Sequence, residues 1–121
     1  MKILIADDHQ IIRYGLKLVL KNIWPDAIIL EAEDLDAAVF LISNNEIGLM
    51  VLDMNMQGSE KLEELIFFVV NETRVVIFSG YDHESAKVDR LINACPEIFT
   101  LKNLSIEEVE ELFSSLHIHK F

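Results

Sequence analysis

Short apolar runs alternate with segments of helical period along this chain, and that alternation leaves few folds open. Lys2–Ala6, Leu49–Leu52, Val75–Phe78 and Ile98–Leu101 are brief, nearly continuous and rich in Ile, Val, Leu and Phe. Each reads as a strand buried on both faces. A further strand is expected at about Ala27–Ala32. Between them, Gln10–Asn22 carries Ile12, Leu16, Val19 and, just beyond, Ile23 at helical spacing. Trp24-Pro25 ends it, because proline disfavours a helical residue before it. A second helix is expected at Asp36–Ser43, with Asn44-Asn45 and Gly48 as breakers. A third spans Glu60–Val70 on a stripe of Leu62, Leu65, Ile66 and Val69, and a fourth spans Glu84–Ala94. The last opens with Ser105 and Glu108, spaced as a capping box, and runs to about Leu116. The pattern is (βα)5, which implies a parallel sheet, helices on both faces and right-handed crossovers. The 121 residues fit a single domain, 1–121.

The polar residues that end the strands carry the chemistry. Asp7 and Asp8 follow the first run, Asp53 the third, Ser79 the fourth and Lys102 the fifth. In open parallel sheets, ligands bind at that carboxyl edge. If the first and third strands are neighbours, Asp7, Asp8 and Asp53 converge, and their mutual repulsion raises at least one pKa. A hard divalent cation removes that cost, and Mg²⁺ prefers octahedral oxygen ligands. The competing reading makes Asp7 and Asp8 caps of the first helix. A carboxylate oxygen can also act as a nucleophile and form an aspartyl-phosphate. Lys102 would then supply a point charge, Ser79 a hydrogen bond and Gly80 space. Taken singly, Ser79-Gly80 could be a turn and Lys102 a solvated strand end.

Composition narrows the partners. The formal net charge is −11 and no Lys/Arg run occurs, so direct nucleic-acid binding by this chain is not expected. No apolar stretch reaches transmembrane length, and Lys2 leads into a strand rather than a signal sequence, so neither a membrane nor export is expected. A lone cysteine, Cys95, fits a reducing cytoplasm and a small packed residue. His117 and His119 belong to a tail expected to fray. In the third helix, Phe67 falls opposite the apolar stripe and Phe68 on its flank, so Phe67 is expected to be exposed.

The sequence resembles a known family. Ala6-Asp7-Asp8-His9 followed by Arg13 and Gly15-Leu16 is similar to the start of two-component response-regulator receiver domains, more narrowly those joined to LuxR/FixJ-type DNA-binding domains. Val51-Leu52-Asp53-Met54-Asn55-Met56, Ser79-Gly80 and Phe99-Thr100-Leu101-Lys102 extend the match over essentially the whole chain. The resemblance implies a flavodoxin-like (βα)5 fold with strand order 2-1-3-4-5. It implies that Asp53 accepts phosphate from a sensor histidine kinase. Asp7, Asp8 and Asp53, with the Asn55 backbone carbonyl, would hold Mg²⁺. Ser79 and Lys102 would sense the phosphoryl group, and Phe99 would be the aromatic switch. It implies a signalling module rather than an enzyme, although one that assists its own phosphorylation from small donors and its own dephosphorylation. A C-terminal DNA-binding output domain in a longer parent, and a homodimer, are the further partners it suggests.

The sequence departs from the family at Gln57, where proline is usual, at Lys61, where glycine is usual, and at Ile98, where a small residue is usual. Asn103 stands where many receivers have a cis proline, and a trans bond is expected there. These departures touch the output surface rather than the phosphorylation groups. Two other readings compete. One is a stand-alone receiver acting by protein binding. The other is an aspartyl-phosphate phosphatase of the haloacid-dehalogenase type, which needs an acid two residues after the nucleophile, where Asn55 stands.

Overall fold

Five parallel strands form one sheet in the order β2-β1-β3-β4-β5: β1 Lys2–Ala6, β2 Ile28–Ala32, β3 Leu49–Asp53, β4 Arg74–Phe78 and β5 Phe99–Leu101. The computed structural model describes residues 1–53, 56, 61–69, 72–78, 99–101 and 106–116. The described helices are α1 Gln10–Ile23, α2 Leu35–Asn44, α3 Leu62–Val69 and α4 Ile106–Ser115. The expected helix at 84–94, the Ser105 cap, Cys95, Asn103 and the His117/His119 tail lie outside the described residues. Among the described residues, no helix is long and apolar enough to cross a membrane.

β1 from Ile3 onward and β3 up to Leu52 are apolar because both of their faces are covered, whereas the edge strand β2 carries Glu31 and an exposed Ile28. Successive side chains of a strand point to opposite faces. Ile3 and Ile5 of β1 therefore join Leu49, Val51 and Val76 in one core, closed by Leu16 and Leu20 of α1 and by Val109 and Phe113 of α4. Leu4 and Ala6 join Met50, Leu52, Val75 and Ile77 in a second core, closed by Leu35 and Ala38 of α2 and by Ile66 and Val69 of α3. Trp24 meets the Phe113 ring edge-on at a centroid distance of 6.5 Å, tying the end of α1 to α4.

Helix ends follow local chemistry. At α1, Trp24 N–H donates back to the Leu20 carbonyl at 2.8 Å, and the helix stops before Pro25. The second helix starts one residue earlier than expected because the Asp34 carboxylate accepts from the Ala37 N–H at 2.8 Å. At its other end, the Asn44 and Asn45 amides donate to the Phe40 and Leu41 carbonyls at 2.7 and 2.9 Å. Those two bonds satisfy carbonyls that a helix end leaves open. Lys61 lies exposed in a 3₁₀ turn leading into α3.

Phe67 is exposed as its position implied, but Phe68 on the flank is the more open, at 82% against 45%. The reason is tertiary. A cleft lined by Ile42, Asn45, Ile47, Phe68, Val69 and Thr73 separates α2 from α3 at that flank.

Candidate functional site

The register of β1 on β3 brings the first carboxylates together. The last paired residues are Ala6 and Leu52, so Asp7 and Asp53 stand one step beyond, side by side at the carboxyl edge. Asp53 is itself the last residue of β3, paired with Phe78 of β4. Asp7 is fully buried and Asp53 is 4% exposed, while the Asp8 side chain is 42% exposed. Asp7, Asp8, His9 and Asp53 can each offer one ligand atom, all within 4.8 Å of one another.

Asp7 is held rather than merely placed. Its N–H donates to the Ala32 carbonyl of β2 at 3.0 Å, and its carbonyl accepts from Arg13 Nη1 at 2.6 Å. Arg13 Nε also reaches Glu31 Oε1 at 3.1 Å, so the guanidinium links α1, β2 and the Asp7 backbone. The carboxylate Oδ1 of Asp7 accepts from the His9 N–H at 2.7 Å. Asp7 therefore does brace the start of α1, whose N-cap is His9, through a turn of the Asx type. Capping and site-building coexist here. The His9 side chain makes no cap bond of its own. Its Nδ1 lies 3.0 Å from Asp7 Oδ1 and 2.9 Å from Asp8 Oδ1. Sequence reasoning quoted His9 and Arg13 without giving either a task. The available signal was their spacing: residues four apart share one face of α1 and its cap.

Electrostatics at this edge is strained. Burial pushes the Asp7 carboxyl above its ordinary range, and the bonds from His9 oppose that rise only in part. His9 is raised in turn, first by its hydrogen bond to Asp7 and then by the charges of Asp8 and Asp7. The second Asp7 oxygen, Oδ2, is buried with no hydrogen-bond partner among the described residues. A buried carboxylate oxygen without a partner is costly. A hard cation among these oxygens would relieve both the desolvation and the crowding, so the donor set fits Mg²⁺. Asn55, Ser79, Gly80 and Lys102 lie outside the described residues, as do Gln57 and Ile98. Phe99 is described only as the first residue of β5.

The comparisons with known proteins agree with this frame. A family model described as the response regulator receiver domain matches residues 3–114. The chain belongs to the response regulator receiver family. Over 117 residues this receiver domain is 30% identical to the nitrate/nitrite response regulator protein NarL of Escherichia coli K12, covering 95% of the chain and 52% of NarL. Over 66 residues it is 39% identical to a glycerol metabolism activator of Pseudomonas putida, covering 54% of the chain and 30% of that protein. The receiver domain thus spans about half or less of the length of these curated relatives. Among solved structures, it resembles the response regulator protein TrrA of Thermotoga maritima in complex with Mg(2+)-BeF. The TM-score is 0.73 at 23% identity, covering 93% of this chain and 95% of that one. RcsB of Salmonella enterica serovar Typhimurium gives 0.78 at 19% identity, covering 97% and 68%. At those identities the likeness shows the fold.

Proposed function

We propose that this chain is a single receiver domain, residues 1–121, that is switched by transfer of a phosphoryl group to Asp53 from the phosphohistidine of a sensor histidine kinase. The observation that carries the reading is the nearly buried Asp53 carboxylate at the end of β3, with its oxygen in reach of the Asp7 and Asp8 carboxylates. In the transfer, an Asp53 oxygen attacks phosphorus, the N–P bond breaks and an acyl phosphate forms. Asp7, Asp8 and Asp53, with the Asn55 backbone carbonyl, would hold Mg²⁺. Bound there, the ion supplies positive charge to the phosphoryl oxygens and relieves the crowding of the carboxylates. Lys102 contributes a fixed cation and Ser79 a hydroxyl to the same oxygens, and Phe99 changes its packing with Ser79. The chain thereby assists phosphorylation from small donors and later hydrolysis, as a switch with slow chemistry rather than as an enzyme for a separate substrate.

The relatives' names and lengths support a longer parent regulator. Its output is proposed to be transcriptional, through the DNA-binding domain that the resemblance implies, with a homodimer as a further partner. The site of action is the cytoplasm. A stand-alone receiver that acts by binding proteins remains the second reading, and a phosphatase is disfavoured by Asn55 at the general-acid position. The test is acetyl phosphate with Mg²⁺, followed by mass-spectrometric mapping. Asp53 should carry the label, and Asp53→Asn should abolish it. Robust labelling of that variant at Asp7 or Asp8 contradicts the assignment.

A further inference from the structure

The residue after the two aspartates puts a nitrogen where the cluster otherwise offers only carboxylate oxygen. His9 Nδ1 lies 3.0 Å from Asp7 Oδ1 and 2.9 Å from Asp8 Oδ1, and the whole set, Asp53 included, spans no more than 4.8 Å. Cis ligands of an octahedral ion with bonds of about 2.1 Å lie about 3.0 Å apart, so those separations suit neighbouring corners of one coordination shell. A second observation makes the cluster a site for a ligand rather than a set of mutual hydrogen bonds. Asp7 is fully buried, and its Oδ2 has no partner among the described residues. The His9 backbone is also fixed, because it caps α1 and its N–H is bonded to Asp7. The ring therefore reaches the cluster without ordering a loop.

We propose that His9 is a further side-chain ligand of this cluster, adding one imidazole nitrogen to the three carboxylates, so that the site takes first-row transition ions as well as Mg²⁺. This rests on the reading of the carboxylates as a divalent-cation site. Imidazole favours the later divalent ions, whereas carboxylate and water suit Mg²⁺, so ligation by His9 alters the order of affinities rather than all of them equally. Its ring is largely exposed, so removing it should leave the fold intact.

The experiment compares the parent with His9→Ala and His9→Gln at mildly alkaline pH. His117→Ala and His119→Ala are included in every protein so that the tail cannot bind metal. Calorimetric titrations with Ni²⁺ and with Mg²⁺ give the affinity ratio, and pulsed EPR of the Mn²⁺-loaded protein reads directly bound nitrogen. Both variants should lower the Ni²⁺/Mg²⁺ ratio by about tenfold or more. The parent alone should show the coupling of a coordinated imidazole. Glutamine keeps a hydrogen-bond donor beside the carboxylates but offers no imidazole, so a normal ratio in His9→Gln means that His9 only donates hydrogen bonds and overturns the inference. Metal binding by the parent without nitrogen coupling overturns it too, while leaving the carboxylate site standing. Failure of all three ions to bind the parent overturns both.

Discussion

At the N-terminal ends of the strands, Lys2 Nζ donates to Asn45 Oδ1 at 2.8 Å, Thr73 Oγ1 to the Ile47 carbonyl at 2.8 Å and Gly48 N–H to the Lys2 carbonyl at 2.9 Å. At the opposite ends of β1 and β3, Asp7, Asp8 and Asp53 crowd one another, and Asp7 Oδ2 is buried without a partner among the described residues. Both edges are built from the same strands under the same helices. The N-terminal edge pairs its polar groups and stabilises the fold. The carboxyl edge gathers three carboxylates, answered by the His9 imidazole, and leaves Asp7 Oδ2 unpaired among the described residues, so a further cation there should stabilise the fold. A fold that satisfies polar groups at one end and leaves them strained at the other marks the strained end as the working one.

That contrast breaks most visibly with metal. In urea unfolding, Mg²⁺ at about a hundredfold above its Kd should stabilise the parent by roughly 2.7 kcal/mol, since only the folded chain assembles the site. The gain should shrink strongly in Asp8→Asn. If Mg²⁺ moves no midpoint, or Asp8→Asn responds as fully as the parent, the carboxyl edge is not a metal site.

Next in size is the sign of a single substitution at that edge. In EDTA, Asp53→Asn should raise stability by about 1–2 kcal/mol by removing one of the crowded charges. A loss of stability would mean that the carboxylates are balanced in the metal-free protein, and the contrast between the two edges would disappear.

The N-terminal edge should answer with the opposite sign. Thr73→Val keeps the shape but takes a donor from the Ile47 carbonyl, and should cost about 1 kcal/mol whether or not Mg²⁺ is present. Dependence of that cost on Mg²⁺ would show that the two edges are coupled.

The smallest effect is a slope with pH. His9 is raised in the folded state, so its contribution is full below its ordinary value of about 6.5 and is lost as pH rises through the raised native value. Asp7 is raised by burial, so the native state also holds this proton longer than the unfolded chain, and stability again falls as pH rises from about 3.9 through the native value. Both slopes run the same way. Urea midpoints in EDTA should therefore decline from mildly acid to mildly alkaline pH, and His9→Ala should flatten the upper part. A rising profile would mean that folding favours the deprotonated forms of these groups.

Local pattern was enough to read most of the elements. The apolar runs gave four of the strands nearly as they stand, because a strand covered on both faces cannot hide its composition. Trp24-Pro25 and Asn44-Asn45 located two helix ends, because the chemistry that ends a helix lies within a few residues of it. The Asp34 cap was missed, although it too was local. Asp7, Asp8 and Asp53 could be named from sequence, since each follows an apolar run. Tertiary structure alone decided the rest. Only the β1–β3 register set Asp7 beside Asp53, because pairing joins residues some 46 positions apart by strand order and not by spacing. Only the tertiary structure left Phe68, beside the cleft between α2 and α3, more open than Phe67, because the periodicity of a helix gives its faces but not its neighbours. His9 Nδ1 beside two carboxylates, and Arg13 across Glu31 and the Asp7 carbonyl, are contacts of side chains whose partners the fold brings to them.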